Sequence, residues 1–413
     1  MSQTRMPRAS FGLGGHLFGA VALVAAWSVA VAAGAPDAAA ADVQSKQWYL
    51  QAMQAEEMWK ISTGEGIKVA VIDTGVNPST PSLKGQVLAG FDATEADGDE
   101  HDDYDGHGTT MAELIAGTGN GGGLKGLAPG AKIIPMRISD TEFQNAHSVN
   151  AYDSEDAIRA AADGDARVIS MSFGSEFPTD REREAVEYAQ RKGKLFFASV
   201  GNSGEKGNAE EYPAAYPDVV GVSAADKNGK VGEFSQSSQI TDIAAPGVDV
   251  PYWCDESFQK YCDGQGTSQA TAIASASAAL VWSAHPDWTA NQVLNVLFDT
   301  AGRDWEKDTV SKYLGHGLIR PSMNILKGKG DPGDPDVSPL TNEKTSGSEG
   351  SAAPSASASS QPEGKDTADD AAMAGSSAEK EGGGQLGLIL GGVAVLVVLG
   401  GGAFALTRKR RSS

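Results

Sequence analysis

Between Ile67 and Ala284 the chain alternates apolar runs with helical patterns, and this alternation restricts the fold more than any other feature. Ile67 to Ile72, Lys132 to Ile138, Arg167 to Phe173, Lys194 to Val200 and Val219 to Ala224 read as strands with few polar interruptions. His107 to Thr118, Ser154 to Ala162 and Asp180 to Lys192 read as the helices between them. Strands that are apolar on both faces need cover on both faces, so the expected architecture is an α/β domain with a mainly parallel sheet. Beyond Gly266 an alanine-rich stretch runs to about Ala284. It is small on every side, which predicts a buried helix. No repeat of fixed period is present.

Both ends of the 413-residue chain are addressed to a membrane. Arg5 and Arg8 precede an apolar run from about Leu17 to Ala33, then Gly34-Ala35-Pro36 and small residues to Ala41. That is the layout of a secretory signal peptide over 1–41, cut near Ala40 or Ala41. Leu386 to Leu406 carries no charge. As a helix it spans about 32 Å, close to a bilayer core of about 30 Å. Arg408, Lys409, Arg410 and Arg411 follow it. Basic residues stay on the cytoplasmic side, so 385–407 is expected to be a transmembrane helix, with a cytoplasmic tail at 408–413 and the body outside. Residues 327–384, rich in Ser, Gly, Ala, Pro and Asp, are expected to be a flexible acidic linker. This leaves a short N-terminal extension at 42–64 and a folded domain at 65–326.

The net charge of −21 comes from 54 acidic and 33 basic residues, and all but one of the acids lie in 42–406. Such a body repels phosphate, which excludes nucleic-acid binding as a main role. Forty per cent hydrophobic residues exclude global disorder. The two cysteines, Cys254 and Cys262, are too few for a four-cysteine zinc site. Outside the membrane they are expected to pair. The acidic run Asp97, Asp99, Glu100, Asp102, Asp103 and Asp105 reads as a solvated loop, because no fixed ligand spacing appears. Its charge would raise the pKa of His107. Gly119 to Gly123 lacks the Lys-Ser/Thr of a phosphate loop. No metal and no cofactor is expected.

In parallel sheets, reactive residues gather beyond the carboxyl ends of the strands. Asp73 ends the first strand, and Gly75 permits a sharp turn after it. His107, in Asp-Gly-His-Gly-Thr, opens a helix pattern between glycines. Asn202 follows a strand in Val-Gly-Asn-Ser-Gly, and Ser268 opens the alanine-rich helix in Gly-Thr-Ser-Gln-Ala. Singly, these are ordinary capping and turn residues. Together they supply a nucleophile, a base, an acid to orient the base, and an oxyanion donor.

Asp-Thr-Gly at 73–75, His-Gly-Thr at 107–109, Gly-Asn at 201–202 and Gly-Thr-Ser at 266–268 resemble the motifs of subtilisin-like serine proteases. The order Asp, His, Ser is also theirs. The resemblance covers about residues 60–325. It implies a three-layer α/β fold and hydrolysis of a polypeptide substrate. Asp73 would orient His107, His107 would be the base, and Ser268 the nucleophile. Asn202 and the Ser268 backbone N–H would be the oxyanion donors. It also implies that Ser172, Phe173, Gly174 and Ser199, Val200, Gly201 line the substrate cleft. The whole layout is similar to the mycosins, membrane-anchored subtilases associated with type VII secretion in actinobacteria. That implies secretion-complex partners and an extension, with Trp48, Tyr49, Leu50 and Trp59, that wraps the domain. Gln269 stands where the family usually has an apolar residue, and Ala272 where it usually has proline. Two other readings share the layout: a scaffold with dispensable proteolysis, and an adhesion module on a stalk. The second leaves the four ordered motifs unexplained.

Overall fold

The computed structural model describes residues 43–139 and 153–345. The expected signal peptide, transmembrane helix and basic tail lie outside the described residues. Among the described residues no helix is long and apolar enough to cross a membrane.

Seven strands form one sheet: β1 (Lys68–Asp73), β2 (Phe91–Asp92), β3 (Lys132–Arg137), β4 (Val168–Met171), β5 (Leu195–Ser199), β6 (Val220–Ala225) and β7 (Ile243–Pro246). Their order is β2-β3-β1-β4-β5-β6-β7, and every pairing is parallel. A hairpin, β8 (Val248–Trp253) and β9 (Tyr261–Gln265), stands apart. The helices are α1 (Trp48–Ala52), α2 (Ala55–Met58), α3 (His107–Ala116), α4 (Asp153–Asp163), α5 (Asp180–Arg191), α6 (Thr267–Ala284), α7 (Ala290–Thr300) and α8 (Pro321–Ile325).

The strand period of two sorts the core into two layers. Val69 and Val71 of β1, with Leu195 and Phe197 of β5, join α3 and α6 on one face. Ala70 and Ile72, with Phe196 and Ala198, join α4 and α5 on the other. Each strand is thus apolar on both sides because each side meets a helix layer. Helix α6 is buried from Thr267 to Trp282. Its alanines and serines let it lie close to the sheet, and Thr271 and Ser277 return their hydroxyls to the carbonyls four residues back.

Two segments outside the domain expected at 65–326 are docked on the body, the first of them the N-terminal extension expected to wrap it. Before β1, Tyr49, Ala55 and Met58 are fully buried, and Trp48 Nε1 and Trp59 Nε1 donate to the carbonyls of Val248 and Leu127. Residues 327–345, expected to begin the linker, are folded against α7. Asn291 and Asn295 donate to the carbonyls of Pro335 and Pro332, and Leu340 packs on the core. The segment is poor in apolar side chains, but α7 supplies polar partners for its backbone. The rest of the expected linker, 346–384, lies outside the described residues.

Candidate active site

Asp73 leaves the carboxyl end of β1 and is buried. His107 is the first residue of α3, and its Nδ1 stands 2.7 Å from Asp73 Oδ1. A carboxylate accepts only, so Nδ1 carries a proton in either charge state, and in the neutral ring Nε2 holds the lone pair. The approach depends on Gly108: a Cβ there would meet the Gly75 carbonyl at 2.1 Å and Asp73 Oδ1 at 3.1 Å. Asp73 Oδ1 also accepts from the Thr74 N–H at 2.8 Å. Asp73 Oδ2 is buried with no partner among the described residues.

A second carboxylate holds this pair in place. Asp103 Oδ1 accepts from Thr74 Oγ1 at 2.7 Å and the Gly106 N–H at 2.9 Å, and Asp103 Oδ2 from the Thr109 N–H at 2.8 Å. Thr74 Oγ1 in turn accepts from the Gly108 N–H at 2.9 Å. Asp103 therefore departs from the solvated loop expected for the acidic run. It is buried, and the free N–H groups at the start of α3 compensate its charge. Sequence reading missed both Asp103 and Thr74. The Asp-x-x-x-His spacing ahead of a helix start was the available signal.

Burial alone would push His107 down. The Asp73 carboxylate more than reverses this, with Asp105 and Asp103 adding to it, and holds His107 up at about 9. The raised value expected from the acidic run is therefore present, with Asp73 as its main source. The β8–β9 hairpin braces the same helix start. Trp253 N–H donates to Thr110 Oγ1, and the Asp255 carbonyl lies against Gly106. The Cys254–Cys262 disulfide, expected from sequence, closes the tip of that hairpin. Deeper in α3, Glu113 is fully buried and accepts from Thr80 and Tyr261. Burial pushes its carboxyl up to about 7.

Ser268 and Asn202 stand across the cleft. Ser268 is the second residue of α6, and its hydroxyl donates to the Ser172 carbonyl at 3.4 Å. Among the described residues it makes no hydrogen bond to His107. Asn202 Oδ1 accepts from the Thr267 N–H at 2.9 Å and Thr267 Oγ1 at 3.0 Å. Those bonds fix the amide, so that Nδ2 is the free end. Thr267 is a further residue that sequence reading missed.

Asp73, His107, Asn202 and Ser268 line one cleft of about 520 Å³, together with Ser172, Phe173 and Gly174. Ser199, Val200 and Gly201 are buried beside it and do not line it with side chains. Phe177, 78% exposed, stands at the rim, and Asp105, Asp153 and Glu182 make the lining acidic.

A parallel sheet with Asp, His and Ser at three strand or helix ends around one cleft is the arrangement of a serine hydrolase. The chain belongs to the subtilase family: the Subtilase family (Peptidase_S8) model matches residues 64–317. It is a subtilisin-like serine protease, similar to the mycosins of type VII secretion. Thermitase of Thermoactinomyces vulgaris is 33% identical over 65% of this chain and 95% of its own. The MycP3 protease from the type VII (ESX-3) secretion system is 30% identical, with TM-score 0.55, over 67% of this chain and 87% of that one. MycP1 from Mycobacterium smegmatis is 25% identical, with TM-score 0.58, over 72% and 88%.

Proposed function

We propose that the chain is a membrane-anchored, extracytoplasmic serine endopeptidase of a type VII secretion system. In this reading Asp73 fixes the His107 tautomer, and His107 Nε2 takes the proton as Ser268 Oγ attacks the peptide carbonyl. Asn202 Nδ2 and the Ser268 N–H receive the oxyanion. His107 then gives its proton to the leaving amine, and water releases the acyl group by the same route. The observation that carries the reading is the 2.7 Å Asp73–His107 bond inside the cleft that Ser268 and Asn202 also line. The secretion role is supported by the likeness to MycP3 and MycP1, whose structures are described as parts of such systems. The membrane role is supported by the uncharged run Leu386 to Leu406 and the basic residues after it.

The test is labelling of the purified full-length chain by a fluorophosphonate, with the modified residue mapped. Labelling is expected at Ser268 and is lost in Ser268→Ala and His107→Ala. A folded chain that resists the probe would refute the endopeptidase and leave the scaffold reading.

A further inference from the structure

We propose that Glu113 is a positioning residue for the reaction: through Tyr261 it fastens the β8–β9 hairpin to helix α3 and so sets His107 against Ser268. The inference rests on the endopeptidase reading and adds a residue that reading does not use.

Helix α3 opens with His107 and carries Glu113 further along, fully buried. Glu113 Oε2 accepts from the Tyr261 hydroxyl at 2.6 Å, and Oε1 from Thr80 Oγ1 at 2.8 Å. Tyr261 opens β9, and β9 runs through Gln265 directly into Gly266, Thr267 and Ser268. The Glu113–Tyr261 bond therefore ties the helix of the base to the strand that delivers the nucleophile.

The same hairpin grips α3 a second time, at its start. Trp253 faces Tyr261 in the β8–β9 register, and their rings stack at 3.7 Å. The Cys254–Cys262 disulfide joins the residues next to them in sequence, so the two rings move as one unit. The Trp253 N–H donates to Thr110 Oγ1 at 3.0 Å, and that hydroxyl donates to the Gly106 carbonyl at 2.8 Å. A Cβ on Gly106 would meet the Asp255 carbonyl at 2.9 Å. Gly106 is bonded to His107. One attachment would let the hairpin pivot on α3, and the second, at Glu113, stops it.

An acid is a costly way to fill that space. Burial pushes Glu113 up, and what opposes burial is hydrogen bonding, with Tyr261 first and Thr80 next, rather than a lysine or arginine. Burial, with Glu113 adding to it, pushes the Tyr261 phenol up as well, so it keeps its proton and remains the donor. A hydroxyl-to-carboxylate bond is short and directional, which apolar packing is not. A misplacement of about 1 Å between reacting groups costs about 100-fold in rate. A hairpin free to pivot therefore slows turnover without loosening substrate.

The test is a double-mutant cycle in the full-length chain. Tyr261→Phe removes the hydroxyl but keeps the ring on Trp253, and Glu113→Met removes the acceptor at similar length. In each, kcat on a peptide substrate is expected to fall about 10–100-fold, with KM within about twofold. The double variant is expected to match the worse single within about threefold, because both lose the same bond. Losses that multiply, a loss in KM alone, or a lowered melting temperature with kcat unchanged would each overturn the proposal and leave Glu113 a stability residue. Where Glu113→Met does not fold, Tyr261→Phe decides alone by the same kcat criterion. The Nδ1–H proton resonance of His107 gives a readout that needs no hydrolysis. It is expected to shift or broaden in Tyr261→Phe, and identical spectra would overturn the proposal. A wild-type chain unlabelled by fluorophosphonate refutes the endopeptidase separately, and the resonance still tests the tether.

Discussion

Asp73 and His107 sit in a lattice of bonds between 2.7 and 2.9 Å, whereas Ser268 exchanges with Ser172 two contacts of 3.4 and 3.5 Å. A hydroxyl bond ordinarily measures about 2.7–2.8 Å, so the serine is held weakly. The contrast follows from the sequence on each side. Around His107, buried carboxylates meet the free N–H groups of a helix start, and charge-assisted bonds are short and directional. Around Ser268 the neighbours are small and neutral, and helix packing fixes the backbone without fixing the hydroxyl. The acid–base half is therefore set before substrate arrives. The nucleophile half lacks its bond to His107 in the free chain, and catalytic bonds of this kind commonly tighten only in the substrate complex.

The largest effect should come from the set half. Asp73→Asn keeps the shape but favours the wrong tautomer of His107, and kcat is expected to fall about 10⁴-fold. Steady-state kinetics on a peptide substrate measures this. A loss below about tenfold would mean that the 2.7 Å bond does not orient the base. On the other side, Asn202→Ala removes one oxyanion donor and should cost about 10²–10³-fold in kcat with little change in KM. A loss mainly in KM would make Asn202 a ground-state contact.

The pH profile separates the halves further. His107 must be neutral to act as base, and the carboxylates hold its pKa at about 9. Activity should therefore rise with pH along a limb above the ordinary histidine range. Stability runs the other way. The folded state binds this proton more tightly than the unfolded chain, so the pair's contribution is complete below about pH 6.5. It is lost as pH rises through about 9. Asp105→Asn should move the activity limb to lower pH, since Asp105 is one of the raising charges. A limb that stays in place would assign the shift to Asp73 and Asp103 alone.

The same contrast explains what was legible beforehand. Strands β1, β3, β4, β5 and β6 and helices α3 to α6 announced themselves because apolar runs and helical periods differ in length and spacing. Asp73, His107, Asn202 and Ser268 stood out through the glycines around them, which mark close approach. The hairpin strand β9, Tyr-Cys-Asp-Gly-Gln, has no apolar alternation and no fully buried residue, so no periodicity reveals it. Asp103 looked like one acid among six because burial depends on the turn that folds it under α3. The docking of residues 327–345 rests on Asn291 and Asn295, two polar helix residues whose partners lie some forty positions away. Contacts of that kind leave no local pattern.

Gln269 gives the smallest and most discriminating change, because it departs from the family pattern next to the loosely held serine. Its side chain is 6% exposed and lies over the turn that feeds α6. A Cβ on Gly266 would meet Gln269 Oε1 at 2.4 Å, and one on Gly264 would lie 3.5 Å from its Nε2. The amide thus covers the Gly264–Gly266 backbone, and among the described residues it makes no hydrogen bond to His107, Asn202 or the Ser268 hydroxyl. Methionine has similar length and volume, and its thioether brings no strong polar group that must be paired. Gln269→Met is therefore expected to leave kcat/KM within about threefold, a barrier change of under about 1 kcal/mol. Peptide kinetics beside the wild type checks it. A rise of tenfold or more would mean that Gln269 restrains Ser268, and that the looseness of the nucleophile half is imposed by this side chain.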